Sequence, residues 1–109
     1  NVVAYLNASS LPVIAFVDVD PKGLHIAQCC PRLHGVVAPP RQSLTEVLSN
    51  AASARPDLYI SQVAALENVF ATLPRESPVF AIWQLIQGAR AGAVQERWRS
   101  NSLPCCLWR

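Results

Sequence analysis

Two aspartates, Asp18 and Asp20, stand one residue apart at the end of an apolar run in the stretch PVIAFVDVDPKGLHIA, residues 12–27. In an extended chain, residues i and i+2 project to the same side, with Cα atoms about 6.5 Å apart. Two carboxylates held so close repel each other and favour a cation between them. Hard oxygen ligands suit Mg²⁺ or Mn²⁺, which keep positions open for water and for a phosphate oxygen. Pro21 and Gly23 turn the chain, the start of the next helix can offer backbone amides to an anion, and Lys22 adds a point charge. Alone, D-x-D often marks only a solvated strand end or a helix cap. Here an apolar strand precedes the pair and a turn and a helix follow it, which favours the cation site.

The elements that must position this pair follow from periodicity. Val13, Ile14, Phe16, Val17 and Val19 are β-branched, aromatic and apolar on both faces, which predicts a buried central strand of a parallel sheet with helices on each side. Leu24, Ile26, Ala27 and Cys30 fit a short helix stopped near Pro31. HGVVAPP (34–40) reads as a second strand, completing a β–α–β unit. Ser43 and Glu46 match a capping box opening a helix of about ten residues. DLYISQVAALENVFATL sets Leu58, Val63, Leu66, Val69, Phe70 and Leu73 on one stripe, with Asp57 near the helix start. Beyond Pro74 and Pro78, Phe80, Ile82, Trp83, Leu85 and Ile86 surround a helix that must be buried or lie at an interface. Residues 1–8 read as the end of a helix and AVQERW as the start of another. The fold class expected is α/β: a small parallel, Rossmann-like sheet followed by a mainly helical C-terminal half.

Composition narrows the classes. At 109 residues the chain holds one domain at most. Apolar residues make up 51% and charged residues 15%, so some apolar surface is left for a partner to cover. The net charge of +2 does not by itself announce a nucleic-acid binder, but all basic residues except Lys22 are arginine, the better bidentate phosphate ligand. There is no methionine, even at position 1, which reads as a C-terminal piece of a longer protein. No apolar run is long enough to span a membrane and no signal-peptide pattern opens the chain. Cys29-Cys30 and Cys105-Cys106 are vicinal pairs that match no zinc spacing. They read as buried thiols and thiols of a loose tail, in a reducing cytoplasm.

FVDVDPKGLHIA resembles the D-x-D-P-x-G-x-x-I-A segment of Toprim domains, found in the A subunit of type IIB topoisomerases, the related meiotic break-forming protein, and the nuclease subunit of the Wadjet anti-plasmid system with its bacterial relatives. RPDLYISQ and GAVQERW extend the resemblance across residues 3–98. It implies a partial Toprim-like domain over 1–98, an irregular tail over 99–109, and a protein that cleaves DNA phosphodiesters with Mg²⁺ or Mn²⁺. Asp18 and Asp20 would be the catalytic metal ligands, Lys22 and Gly23 would face phosphate, and Gln95 and Glu96 would lie behind the first ligands. The family also uses a glutamate on an earlier strand, and no acidic residue precedes Asp18. The chain on its own is therefore expected not to cut DNA.

Haloacid-dehalogenase-like phosphatases also begin D-x-D, but they need a downstream lysine and acidic pair; the only later aspartate here is Asp57. His25 reads as a helix-surface residue and His34 as a loop residue. Arg90, Arg97 and Arg99 suit either a phosphate-facing strip or helix C-termini. Trp83 reads as core or dimer contact. DNA and a homodimer or larger assembly are the expected partners, with no membrane. The alternative is a non-catalytic interaction domain with a vestigial metal site.

Overall fold

The computed structural model describes residues 12–30, 32–51, 53–94 and 105–109. In chain order these form β1 (Val13–Ala15), α1 (Pro21–Gln28), β2 (Leu33–Ala38), α2 (Arg41–Ser49), α3 (Pro56–Ala71), α4 (Pro78–Ala89) and β3 (Cys106–Trp108). The expected parents of the segments 1–8 and 95–99, including Gln95, Glu96, Arg97 and Arg99, lie outside the described residues.

The strand–helix–strand unit forms: β1 and β2 pair in parallel, with Ile14 opposite Gly35 and Ala15 opposite Val36. The sheet as a whole is mixed rather than parallel, because β3 adds antiparallel to the other edge of β2. Among the described residues its order, β1-β2-β3, makes β2 the central strand and puts β1 at an edge. That corrects the expectation of a long central strand through Val19. Regular pairing stops at Ala15, and Ile14 and Phe16 are 53% and 42% exposed. An apolar run on both faces here reflects one packed face and one open one, not two covering layers.

Of the segment 99–109, expected as an irregular tail, residues 105–109 are described, and Cys106–Trp108 form a strand there. Val36, Val37 and Ala38 pair with Trp108, Leu107 and Cys106. The Trp108 indole N–H donates to the Pro39 carbonyl at 3.0 Å, and the Arg41 guanidinium lies 5.6 Å from its ring centre. An aromatic body with a polar tip suits such a half-wet edge.

Proline places three of the helix starts. Pro21, Pro56 and Pro78 open α1, α3 and α4, where a missing N–H costs nothing and φ is already helical. For α2 the cap is Pro40 itself, at φ −55° and ψ 157°, without a side-chain bond. The helix thus begins at Arg41, three residues earlier than a capping box with Ser43 as the cap would have it, and Ser43 becomes an ordinary first-turn residue.

The core sits between β2 and the helices. Val79, Ile82, Trp83 and Ile86 of α4 are buried, and α4 packs on β2 and on α1, α2 and α3. The Trp83 ring lies 4.5 Å from that of Phe70 and 6.2 Å from that of Tyr59 on α3. Trp83 is therefore a core residue. The α3 stripe is only partly inward: Tyr59 and Phe70 are buried, while Val69 is 38% exposed.

Candidate cation and phosphate site

Beyond β1 the chain stays extended and is pinned at one point. Val19 and Ala93 exchange backbone hydrogen bonds of 2.9 and 2.8 Å. Arg55 and Gly92 exchange another pair, of 2.7 and 3.1 Å. Val19 is buried against this seam, and an aspartate flanks it on either side. Asp18 and Asp20 line one depression of about 390 Å³ together with Phe16, Val17, Lys22, Gly23 and Ile26. Two carboxylates are thus brought together from an irregular extended segment, past the end of the strand that was expected to carry them.

Asp20 has a second role. It is the N-cap of α1, at φ −145° and ψ 168°, and its Oδ1 accepts the Gly23 N–H at 2.6 Å. The Lys22 N–H donates to Gln62 Oε1 on α3 at 2.8 Å. Both of these first-turn amides are occupied by protein groups. The backbone expected to meet an anion is engaged elsewhere, and the Lys22 side chain is exposed.

Asp20 is only 6% exposed. Burial pushes its carboxyl above the ordinary 3.8 and the Asp18 charge adds to the rise, against the Gly23 N–H, the Gln62 side chain and Lys22, which lower it. A cation shared with Asp18 would remove the like-charge part of that rise.

Two glycines make the arrangement possible. A Cβ on Gly23 would collide with the Asp18 carbonyl oxygen, and one on Gly92 would sit 2.9 Å from Asp20 Cβ and from the Val19 carbonyl oxygen. Gln62 was not singled out in the sequence. Its signal was positional: it lies three residues after buried Tyr59 on α3, a polar side chain on the inward-facing stripe.

The donor set fits a hydrated Mg²⁺ or Mn²⁺ in its simplest form, which takes one or two carboxylates and completes its shell with water and substrate phosphate. Among the described residues no group of three or more His, Cys, Asp or Glu is placed to hold a metal ion.

The family model described as "Domain of unknown function (DUF7281)" matches residues 1–104. The chain belongs to the DUF7281 family. No curated protein and no solved structure matches it. This overturns the Toprim assignment, since the match carries no Toprim or topoisomerase family. The geometry shows how a short motif led there: the D-x-D of this DUF7281 chain includes a helix cap, and the sheet behind it is mixed.

The remaining candidates lie elsewhere. His25 on α1 is half-buried, with Nε2 3.7 Å from the Cys29 sulfur and a buried Nδ1 that has no hydrogen-bond partner. His34 is an exposed residue of β2, not of a loop. None of the four cysteines forms a disulfide; Cys29, Cys105 and Cys106 are exposed, where Cys29 was expected to be buried. Arg90 ends α4 in the left-handed conformation, at φ 55°. No helix among the described residues is long and apolar enough to cross a membrane.

Proposed function

We propose that this domain holds a divalent cation, Mg²⁺ or Mn²⁺, between Asp18 and Asp20 and uses it to engage a phosphodiester of DNA within a longer DNA-cleaving protein. The observation that carries the reading is that both carboxylates and Lys22 line a single depression. When bound, the cation would neutralise charge on a phosphate oxygen. Asp18 and Asp20 hold it, Lys22 pairs with the same phosphate, and Gln62 braces the first turn behind them. Among the described residues no acidic side chain other than Asp18 and Asp20 lines the depression, so an acid or base for cleavage would come from outside them. The chain alone binds and does not cut.

The test is titration with Mn²⁺, read by calorimetry, alongside a plasmid-nicking assay. Saturable Mn²⁺ binding lost in Asp18→Asn, with intact plasmid throughout, is the expected result. Binding that survives both Asp18→Asn and Asp20→Asn ends the proposal.

The second reading is a non-catalytic interaction domain. The 2.6 Å bond from the Gly23 N–H to Asp20 favours it, because a helix cap explains one aspartate without any cation. On that reading any metal at Asp18 and Asp20 is vestigial, structural or regulatory, and no phosphodiester is engaged.

A further inference from the structure

Of the large apolar side chains exposed on the surface, Ile60 and Val69 lie on α3, while Ile14, Phe16 and Ile26 lie on or near the segment that carries the carboxylate pair. Phe16 is 42%, Ile26 49% and Ile14 53% exposed. Phe16 and Ile26 line the same depression as Asp18, Asp20 and Lys22. A site for a bare phosphate or a hydrated cation needs no aromatic wall, and a large apolar side chain in water is a standing cost.

The size of the patch bears on what covers it. A specific protein–protein interface buries about 800 Å² on each partner, far more than a few side chains offer. One aromatic and one aliphatic side chain match a single planar ring. Phe16 precedes Asp18 by two residues on an extended chain, about 6.5 Å between Cα atoms. That separation is comparable to the distance from a nucleotide's phosphate to its base. Lys22 and the carboxylate-held cation would take the phosphate, and Phe16 with Ile26 would take the ring.

We infer that the depression binds an unpaired nucleotide, its base stacked on Phe16, so that the domain selects single-stranded over duplex DNA. In a duplex the bases are stacked on each other and present no face to a side chain, whereas single strands are bound by aromatic platforms beside a charged track. This rests on the phosphodiester reading above, and it names the substrate class for that site.

The experiment measures fluorescence anisotropy of a labelled single-stranded oligonucleotide and of a hairpin duplex, each in Mn²⁺ and in EDTA, for the wild type, Phe16→Ala and Phe16→Tyr. Calorimetry with Mn²⁺ alone accompanies it. The expected result is tighter binding of the single strand than of the duplex. Phe16→Ala should weaken the single strand by about tenfold or more, with Phe16→Tyr restoring it. Duplex affinity and Mn²⁺ binding should not change in either variant. Phe16→Ala binding the single strand like the wild type, or equal wild-type affinity for both forms, overturns the inference. So does a dimer in sedimentation that Phe16→Ala dissociates without touching oligonucleotide affinity, which would make the patch a contact between copies. Mn²⁺ failing to bind, while a Phe16-dependent single-strand preference persists in EDTA, would defeat the cation reading and leave this one standing.

Discussion

Asp20 is a residue with two incompatible preferences. As an N-cap it gains from accepting the Gly23 N–H, while its burial beside Asp18 disfavours its charge. Asparagine caps a helix about as well as aspartate and carries no charge. A carboxyl whose pKa is raised on folding binds its proton more tightly in the native state. Its contribution to stability is therefore complete below the ordinary 3.8 and is lost as pH rises through the raised value. Thermal melts across about pH 3 to about pH 7 should show Asp20→Asn gaining on the wild type as the pH rises. At neutral pH, Asp20→Ala should be less stable than Asp20→Asn by about 1 kcal/mol, the worth of the cap. An Asn variant that loses ground with rising pH would mean that the charge is compensated rather than strained. At this scale the carboxylate pair was legible, because period-two spacing survives even where regular pairing does not. Gln62 was legible only as a polar side chain on the inward stripe of α3; its role was not, because its partner Lys22 is forty residues away in the chain.

Helices and strands were legible to different degrees, for reasons that their ends explain. Proline stands at the first position of α1, α3 and α4, whereas α4 read as apolar nearly all round, and packing alone selects Val79, Ile82, Trp83 and Ile86 as its buried face. β3 was missed because CLW is too short to alternate, and it is ordered by the open edge of β2 and by Trp108 reaching Pro39. The capping box was matched by type but preempted by Pro40. The C-terminus of α4 carries the element-scale prediction. Arg90 closes the helix with its N–H on the Ile86 carbonyl at 2.7 Å, in a left-handed conformation that glycine adopts without steric cost. Arg90→Gly should raise stability by up to about 1 kcal/mol in denaturant melts. If Arg90 instead contributes to phosphate binding, the same variant will also weaken oligonucleotide affinity, and salt titration will show a shallower slope.

Across the whole molecule, the depression is held by segments far apart in sequence. The Asp18–Asp20 stretch is fixed by Ala93 through Val19, and Gly92 lies against Asp20 while pairing with Arg55 at the entry to α3. The site thus depends on closure between residues 19 and 93, across the helical half that supplies the core. Gly92 and Gly88 make a matched pair for testing this. A Cβ on Gly92 would meet Asp20 Cβ and the Val19 carbonyl oxygen at 2.9 Å, so one of the two strands of chain must move; a Cβ on Gly88, in α4, meets nothing within 4 Å. Gly92→Ala should cost about 1–3 kcal/mol, as overpacking does, and weaken Mn²⁺ binding because Asp20 shifts with its backbone. Gly88→Ala should stabilise by about 0.5–1 kcal/mol, the helix preference for alanine, and leave Mn²⁺ binding unchanged. Melts and calorimetry on the two variants separate the outcomes. Unchanged Mn²⁺ affinity in a folded Gly92→Ala would mean that the cation is held without Asp20, and that the seam through Val19 and Ala93 serves stability alone.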